Sequence, residues 1–72
     1  MNIFISEKKI TVFNGATLKD AVLTYSIHAY KMVKNNYLGI YDRFGFLTEP
    51  DGPVTEGQHF YLKVRKKQNQ IP

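Results

Sequence analysis

The chain contains no cysteine, and this absence excludes several kinds of small protein at once. Its 72 residues hold no thiol, so they can form neither a disulfide framework nor a zinc site built on cysteine ligands. A domain of this size buries only ~60–65% of the surface that its unfolded chain exposes. Stability must therefore come from the apolar residues, which make up 43% of the chain and include five phenylalanines and five tyrosines.

Long apolar runs are also absent. No stretch approaches the ~18 apolar residues that a membrane-spanning helix needs. The N-terminus lacks the basic start and apolar stretch of a signal peptide. We therefore expect a cytoplasmic protein with no membrane partner. The apolar fraction is typical of a packed domain, and the length predicts a single one.

Positive charge exceeds negative charge only near the C-terminal end. Up to His59 the chain has six basic and six acidic residues, so the net charge of +4 comes from Lys63, Arg65, Lys66 and Lys67. A single terminal cluster is a weaker sign of nucleic-acid binding than a basic face spread over a whole domain. We expect a neutral body with a basic strand end.

The first half of the chain predicts two strands followed by a helix. Residues 2–5 and 9–13 alternate apolar and polar or aromatic positions, which indicates strands joined by a short polar connection. Asn14-Gly15 interrupts the second strand. Thr17 then fits a helix N-cap with Asp20 as its capping-box partner. One helical face follows, carried by Leu18, Ala21, Val22, Tyr25 and Ala29 and extended by Met32 and Val33.

The sequence offers two places where this helix could end. Ser26 is suited to start a short second helix, whereas Asn35-Asn36 is a clear stop. Beyond it, residues 37–41 predict a third strand and residues 46–48 a short return. A rigid loop at 50–53 is followed by a last strand that begins at Phe60.

We expect one domain over residues 1–66 and a polar, flexible tail over residues 67–72. The core should combine the uncharged strand faces with the helical stripe. Its expected members are Ile3, Ile5, Ile10, Val12, Leu18, Val22, Tyr25, Ile40, Val54, Phe60, Leu62 and Val64.

This ββαββ order resembles the ubiquitin-like β-grasp superfamily. The stretch from Asn14 to Val22 is similar to the Gly-x-Thr-hydrophobic-x-Asp-Ala motif that opens the helix in two branches. These branches are the small sulfur carriers of thiamine and molybdopterin synthesis and the plant-type [2Fe-2S] ferredoxin-like domains. Residues 53–60 resemble the closing turn of both. The resemblance implies an α+β fold with a mixed sheet of four or five strands on one helix, in which the first and last strands are parallel neighbours.

The chain departs from both branches at the residues that carry their chemistry. Sulfur carriers end in Gly-Gly, whereas here no glycine lies beyond Gly57 and the chain closes with Gln68-Asn69-Gln70-Ile71-Pro72. Ferredoxin-like domains hold iron through cysteine thiolates, which are missing. We therefore expect no cofactor. A degenerate sulfur carrier, processed or completed at its C-terminus, remains the first alternative.

The outward face of the predicted sheet carries rings and cations. Phe4, Phe13, Tyr61, Lys63 and Arg65 share it. Solvated strand faces usually favour polar side chains, so an aromatic patch edged by cations indicates a protein-binding surface. The alternatives are that a loop or the tail covers the rings, or that they form a homodimer contact.

Tyr41 joins this face if Ile40 points inward. The expected partner-binding residues are therefore Phe4, Phe13, Tyr41, Tyr61, Lys63 and Arg65.

A small nucleic-acid binder is the second alternative. The basic strand end would grip phosphates, and exposed rings would stack on bases. The candidate rings are Tyr30, Tyr37, Tyr41, Phe44 and Phe46. Against it, alternating lysine and arginine also protect a strand from aggregation, and four cations neutralise few phosphates. We regard nucleic acid as the weaker hypothesis.

No pattern of residues predicts catalysis or metal binding. His28 and His59 lack a ligand-like spacing with carboxylates, and the acids do not follow the calcium-loop pattern. Neither serine lies in a Gly-x-Ser-x-Gly context, and the glycines form no phosphate loop. The sequence therefore predicts a non-enzymatic, ubiquitin-like protein-interaction module without catalytic, cofactor or metal residues.

Overall fold

The structure, a computed structural model, describes residues 1–65. It is a small α+β protein with four strands and two helices in the described part. In chain order these are β1 (Asn2–Ile5), β2 (Lys8–Thr11), α1 (Leu18–Tyr25), α2 (Ile27–Lys34), β3 (Leu38–Asp42) and β4 (His59–Val64). The tail expected at residues 67–72 lies outside the described residues, as does the final residue of the expected domain. No helix within residues 1–65 has the length and apolar character to cross a bilayer.

The four strands form one mixed sheet in the order β2-β1-β4-β3. The strands β1 and β2 are antiparallel neighbours, and so are β3 and β4. The two central strands, β1 and β4, run parallel, with Phe4 opposite His59 and Ile5 opposite Phe60. The expected parallel pairing of the first and last strands is therefore present.

Both helices lie in the connection between β2 and β3, and their buried residues join the core on one side of the sheet. The capping box expected at the start of α1 is confirmed. The Thr17 hydroxyl accepts from the Asp20 amide at 3.3 Å, and the Asp20 carboxylate accepts from the Thr17 amide at 3.0 Å. The bonds from Thr17 lower the pKa of the Asp20 carboxyl, because they stabilise its charged form.

The expectation of one helix is wrong, and the restart considered at Ser26 is what occurs. Ser26 has extended backbone angles and ends α1, and its hydroxyl accepts from the Ala29 amide at 3.2 Å to cap α2. At the end of α1 the Ser26 amide donates to the Val22 carbonyl at 2.8 Å, so the same residue closes one helix with its backbone and caps the next with its side chain. The apolar stripe continues across the break, since Ala29 and Val33 are buried with the residues of α1.

The core agrees with the expectation at most positions. Nine of the twelve expected residues are buried: Ile3, Ile5, Ile10, Val12, Leu18, Val22, Ile40, Val54 and Phe60. Tyr25 and Leu62 are half-buried and pack against that cluster. The structure adds Ala16, Ala21, Ala29 and Val33.

Val64 was wrongly assigned to the core, because 56% of it is exposed. It is the last residue of β4, opposite the half-buried Leu38 at the first position of β3. The strand alternation is therefore correct, but this row lies at the end of the sheet, where burial is incomplete.

Replacing Thr17 with alanine should lower the free energy of unfolding by about 1 kcal/mol, because the N-cap bond to α1 is lost. Urea denaturation followed by circular dichroism measures this change. Thr24→Ala is the matched control, since Thr24 is an exposed residue inside α1 whose hydroxyl donates to the Asp20 carbonyl. Equal destabilisation by both substitutions would contradict the capping role.

Candidate interaction surface

The sheet has one face against the helices and one face away from them, which we call the outer face. Strand register assigns its members, because residues directly opposite each other point to the same side. The outer face carries Asn2, Phe4, Lys9, Thr11, Gly39, Tyr41, His59, Tyr61 and Lys63. Ile3 and Ile5 are fully buried on the other face, so the expected outward orientation of Phe4 is confirmed.

Phe4 does not stand alone on this face. Its ring stacks on that of His59 with centroids 4.5 Å apart and planes 8° from parallel. The parallel pairing of β1 with β4 places the two residues opposite each other. Phe4 is therefore half-buried, and one side of its ring is covered by a neighbour from the same sheet.

Tyr61 is fixed by an acid from the β1–β2 turn. Its hydroxyl donates to Glu7 Oε2 at 2.8 Å. This hydrogen bond raises the pKa of Tyr61, because it favours the protonated phenol and because the carboxylate repels the phenolate. The pair joins residues 54 positions apart in the sequence.

The turn that presents Glu7 is itself strained. Ser6 and Glu7 have φ values of 50° and 73°, in a two-residue hairpin where Asn-Gly is the favoured pair. A non-glycine residue in this region is disfavoured by contacts of its Cβ. The bond to Tyr61 is one contact that holds Glu7 in this conformation.

Tyr41 and Lys63 lie beside Tyr61. Tyr41 is directly opposite Tyr61 across the β3–β4 ladder, and the Lys63 ammonium lies 5.9 Å from the centre of the Tyr41 ring. Ile40 is 1% exposed and therefore points inward, which was the condition for Tyr41 to join the outer face. This contact between cation and ring is at the limit of the useful range.

A short return after β3 covers part of the outer face. Leu47 pairs with Tyr41 in an isolated antiparallel bridge. A Cβ added at Gly39 would lie 2.9 Å from Leu47 Cδ1 and 3.0 Å from Arg65 Cγ, so any larger residue would have to displace these side chains from their positions over the strand. Intramolecular covering is thus present, but Leu47 itself remains 50% exposed.

Arg65 and Phe13 lie just outside the strands. Arg65 follows β4, and its Nη1 donates to Asn36 Oδ1 at 3.3 Å. Phe13 lies two residues beyond the end of β2 and is 64% exposed. The structure therefore groups Phe4, Tyr41, Tyr61 and Lys63 by strand pairing, whereas pairing does not fix the position of Phe13 on this face.

The rings considered for base stacking are not gathered on one surface. Tyr30 is on α2, where the Lys34 ammonium lies 5.7 Å from its ring centre, whereas Tyr41 is on the opposite side of the sheet. Phe44 and Phe46 are 77% and 69% exposed at the turn after β3. Asp42 Oδ1 accepts from both of their amides at 2.9 Å and holds this turn. Tyr37 precedes β3 and is 53% exposed. Of the five rings, only Tyr41 belongs to the strand pairs that define the outer face.

No group of three or more histidine, aspartate or glutamate side chains within residues 1–65 is arranged to hold a metal ion. His28 is exposed on α2, and His59 is engaged with Phe4. The sulfur-carrier alternative depends on C-terminal residues that lie outside the described part of the chain.

Comparison of the chain with protein-family models, with curated proteins and with solved structures finds no match. The assignment to a superfamily therefore remains an expectation from the sequence motifs.

Sequence reasoning missed two outer-face contacts. The first is the contact of His59 with Phe4, which strand alternation could have indicated. His59 lies two residues before Tyr61 and therefore points to the same side of the strand. The pairing of Glu7 with Tyr61 has no local signal, because it depends on the order of the strands.

The bond between Tyr61 and Glu7 should make stability depend on alkaline pH. The folded-state pKa of Tyr61 is raised. The hydrogen bond of Tyr61 therefore contributes fully to the free energy of unfolding at pH values below the unfolded-state pKa, near 10. It is lost as pH rises through the folded pKa. Chemical denaturation of the wild type between about pH 8 and 11 should show a fall in the free energy of unfolding. In Tyr61→Phe the part of this fall that comes from the Tyr61 hydroxyl should be absent.

Tyr37→Phe is the control, because it removes an exposed tyrosine hydroxyl before the start of β3. An alkaline loss of stability that is the same in Tyr61→Phe and in the wild type would show that the Glu7–Tyr61 bond contributes nothing measurable.

Proposed function

We propose that the chain is a non-catalytic, ubiquitin-like β-grasp module that binds another protein through its outer face. The binding surface in this proposal contains Phe4, Tyr41, Tyr61 and Lys63 at its centre. Phe13 and Arg65 lie at its ends.

The topology supports the β-grasp part of the proposal. The sheet order β2-β1-β4-β3, the parallel central pair and the helices on one side agree with the arrangement that the motifs at residues 14–22 and 53–60 imply. A fold of this kind serves as a scaffold for many functions. The function must therefore be argued from the surface.

The distribution of charge on the outer face is the observation that carries the binding proposal. Lys9 and Lys63 are exposed there. The nearby acid Glu7 accepts the Tyr61 hydroxyl, and Glu56 accepts the Asn2 amide at 2.9 Å. The acids are thus engaged within the molecule, while the lysines extend from a surface of aromatic rings. Such a surface suits a protein partner with acidic groups around an apolar centre.

Ring geometry favours a protein over a single-stranded nucleic acid as this partner. Base stacking needs open ring faces, whereas His59 covers one side of Phe4 and the Lys63 ammonium approaches Tyr41. Tyrosine and phenylalanine edges that remain accessible are typical of protein interfaces.

Reversing the charge of Lys63 should weaken the partner's binding by tenfold or more, because an acidic partner would meet a like charge. Lys63→Glu is compared with Lys31→Glu, an equal charge reversal at an exposed position on α2. Affinity capture from the native host, with quantitative mass spectrometry, identifies proteins retained by the wild type and by Lys31→Glu. Titration of the purified partner then gives the dissociation constants.

A partner that binds both variants as tightly as the wild type would contradict the outer-face surface. A partner that is lost only with Lys31→Glu would place the interface on the helical side. Circular dichroism of each variant must match the wild type before affinities are compared.

A further inference from the structure

A groove lies beside the first half of β3, at the edge of the sheet that the short return leaves open. Its volume is about 260 Å³. Val33 of α2, Leu38 of β3, and Leu47 and Pro50 of the following segment give it apolar walls, and Arg65 lies at its rim. Its size is below that of usual small-molecule pockets and suits one or two side chains.

The return pairs only with the second half of β3. The Asp42 amide donates to the Phe46 carbonyl at 2.9 Å, and the Thr48 amide donates to the Ile40 carbonyl at 2.8 Å. The chain then turns away through Glu49 and Pro50. The strand ladder on this side of β3 therefore stops at Ile40.

Backbone groups of β3 face the groove beyond that point. The Ile40 carbonyl points toward the return, and residues two apart in a strand point their backbone groups to the same side. The Ile40 amide and the amide and carbonyl of Leu38 therefore also point away from β4. Within residues 1–65 no group forms a hydrogen bond with these three. Such an edge is a template for an added strand.

The charge at the rim indicates the chemistry of that strand. Arg65 uses Nη1 on Asn36 Oδ1, which leaves other guanidinium donors for a carboxylate. Glu49 also lines the groove. Within residues 1–65, Arg65 forms no salt bridge with Glu49, so its remaining donors are available to a carboxylate of the added strand.

We propose that this groove binds an extended segment of a partner protein that adds a strand to the first half of β3. The segment places an apolar side chain between Val33 and Leu47 and an acidic side chain against Arg65. This site shares Arg65 with the outer-face surface but adds the open edge of β3, which that surface does not use. The Leu38 and Ile40 amides distinguish the two proposals, because only an added strand would form hydrogen bonds with them.

A randomised peptide library displayed on phage and selected against the immobilised 72-residue protein tests the proposal. The expected enriched peptides alternate apolar positions and contain aspartate or glutamate. Synthetic copies should bind at least tenfold more weakly to Arg65→Glu than to the wild type. Arg43→Glu is the matched control, an equal charge reversal of an exposed arginine that does not line the groove, and should change the affinity less than threefold.

Backbone pairing is tested with the same peptides. In ¹⁵N-labelled protein the amides of Leu38 and Ile40 should exchange slowly with solvent only when peptide is bound. Methylation of a peptide amide nitrogen removes a hydrogen-bond donor. Methylation at every second residue should abolish binding when it falls on the amides that face β3, and should leave binding intact when it falls on the amides that face away.

Three results would overturn this proposal: no enriched peptide, peptides without acidic residues, or peptides whose binding leaves the Leu38 and Ile40 amides unchanged. Sedimentation showing that free protein forms a dimer through β3 would assign the edge to a second copy. Peptides that lose affinity with Lys63→Glu and not with Arg65→Glu would support the outer face instead.

Discussion

The parallel pairing of β1 with β4 is the constraint on which the rest of the molecule depends. The Phe4 amide donates to the Gln58 carbonyl at 2.9 Å, and the Ser6 amide donates to the Phe60 carbonyl at 2.8 Å. These bonds join segments more than fifty residues apart, so the loop-closure entropy between them must be offset by burial. On the inner side the pairing brings Ile5 to Phe60 in the core, and on the outer side it stacks Phe4 on His59.

One register therefore determines two surfaces. A slip of a single residue would exchange the faces of β1, exposing two fully buried isoleucines and burying Phe4 against the helices. The same register brings the strained β1–β2 turn within reach of Tyr61, so that the Glu7 carboxylate accepts a hydrogen bond from the Tyr61 hydroxyl. The proposed binding face, with rings fixed by neighbours and cations extending from them, is a consequence of this central pair.

Local patterns in the sequence were sufficient for the four strands and most of the core, whereas the expectation of one helix was wrong because Ser26 separates α1 from α2. The capping box at Thr17, the alternation of β1 and the helical stripe each depend on neighbouring residues, and each was predicted correctly. Val64 was wrong because alternation gives the side of a strand but not how far the helices extend over it. The contacts of Glu7 with Tyr61 and of Leu47 over Gly39 depend on strand order and on the path of the return, so no local pattern indicates them.

Nuclear Overhauser contacts in the isotopically labelled protein test the central register most directly. The account predicts contacts between the ring protons of Phe4 and His59, together with contacts from the Ile3 and Ile5 methyl groups to core residues such as Val22. Contacts from the Phe4 ring to the Val22 methyl groups, with Ile3 facing solvent, would contradict it. In that case the faces of the sheet would be reversed, and the proposed outer surface would not exist.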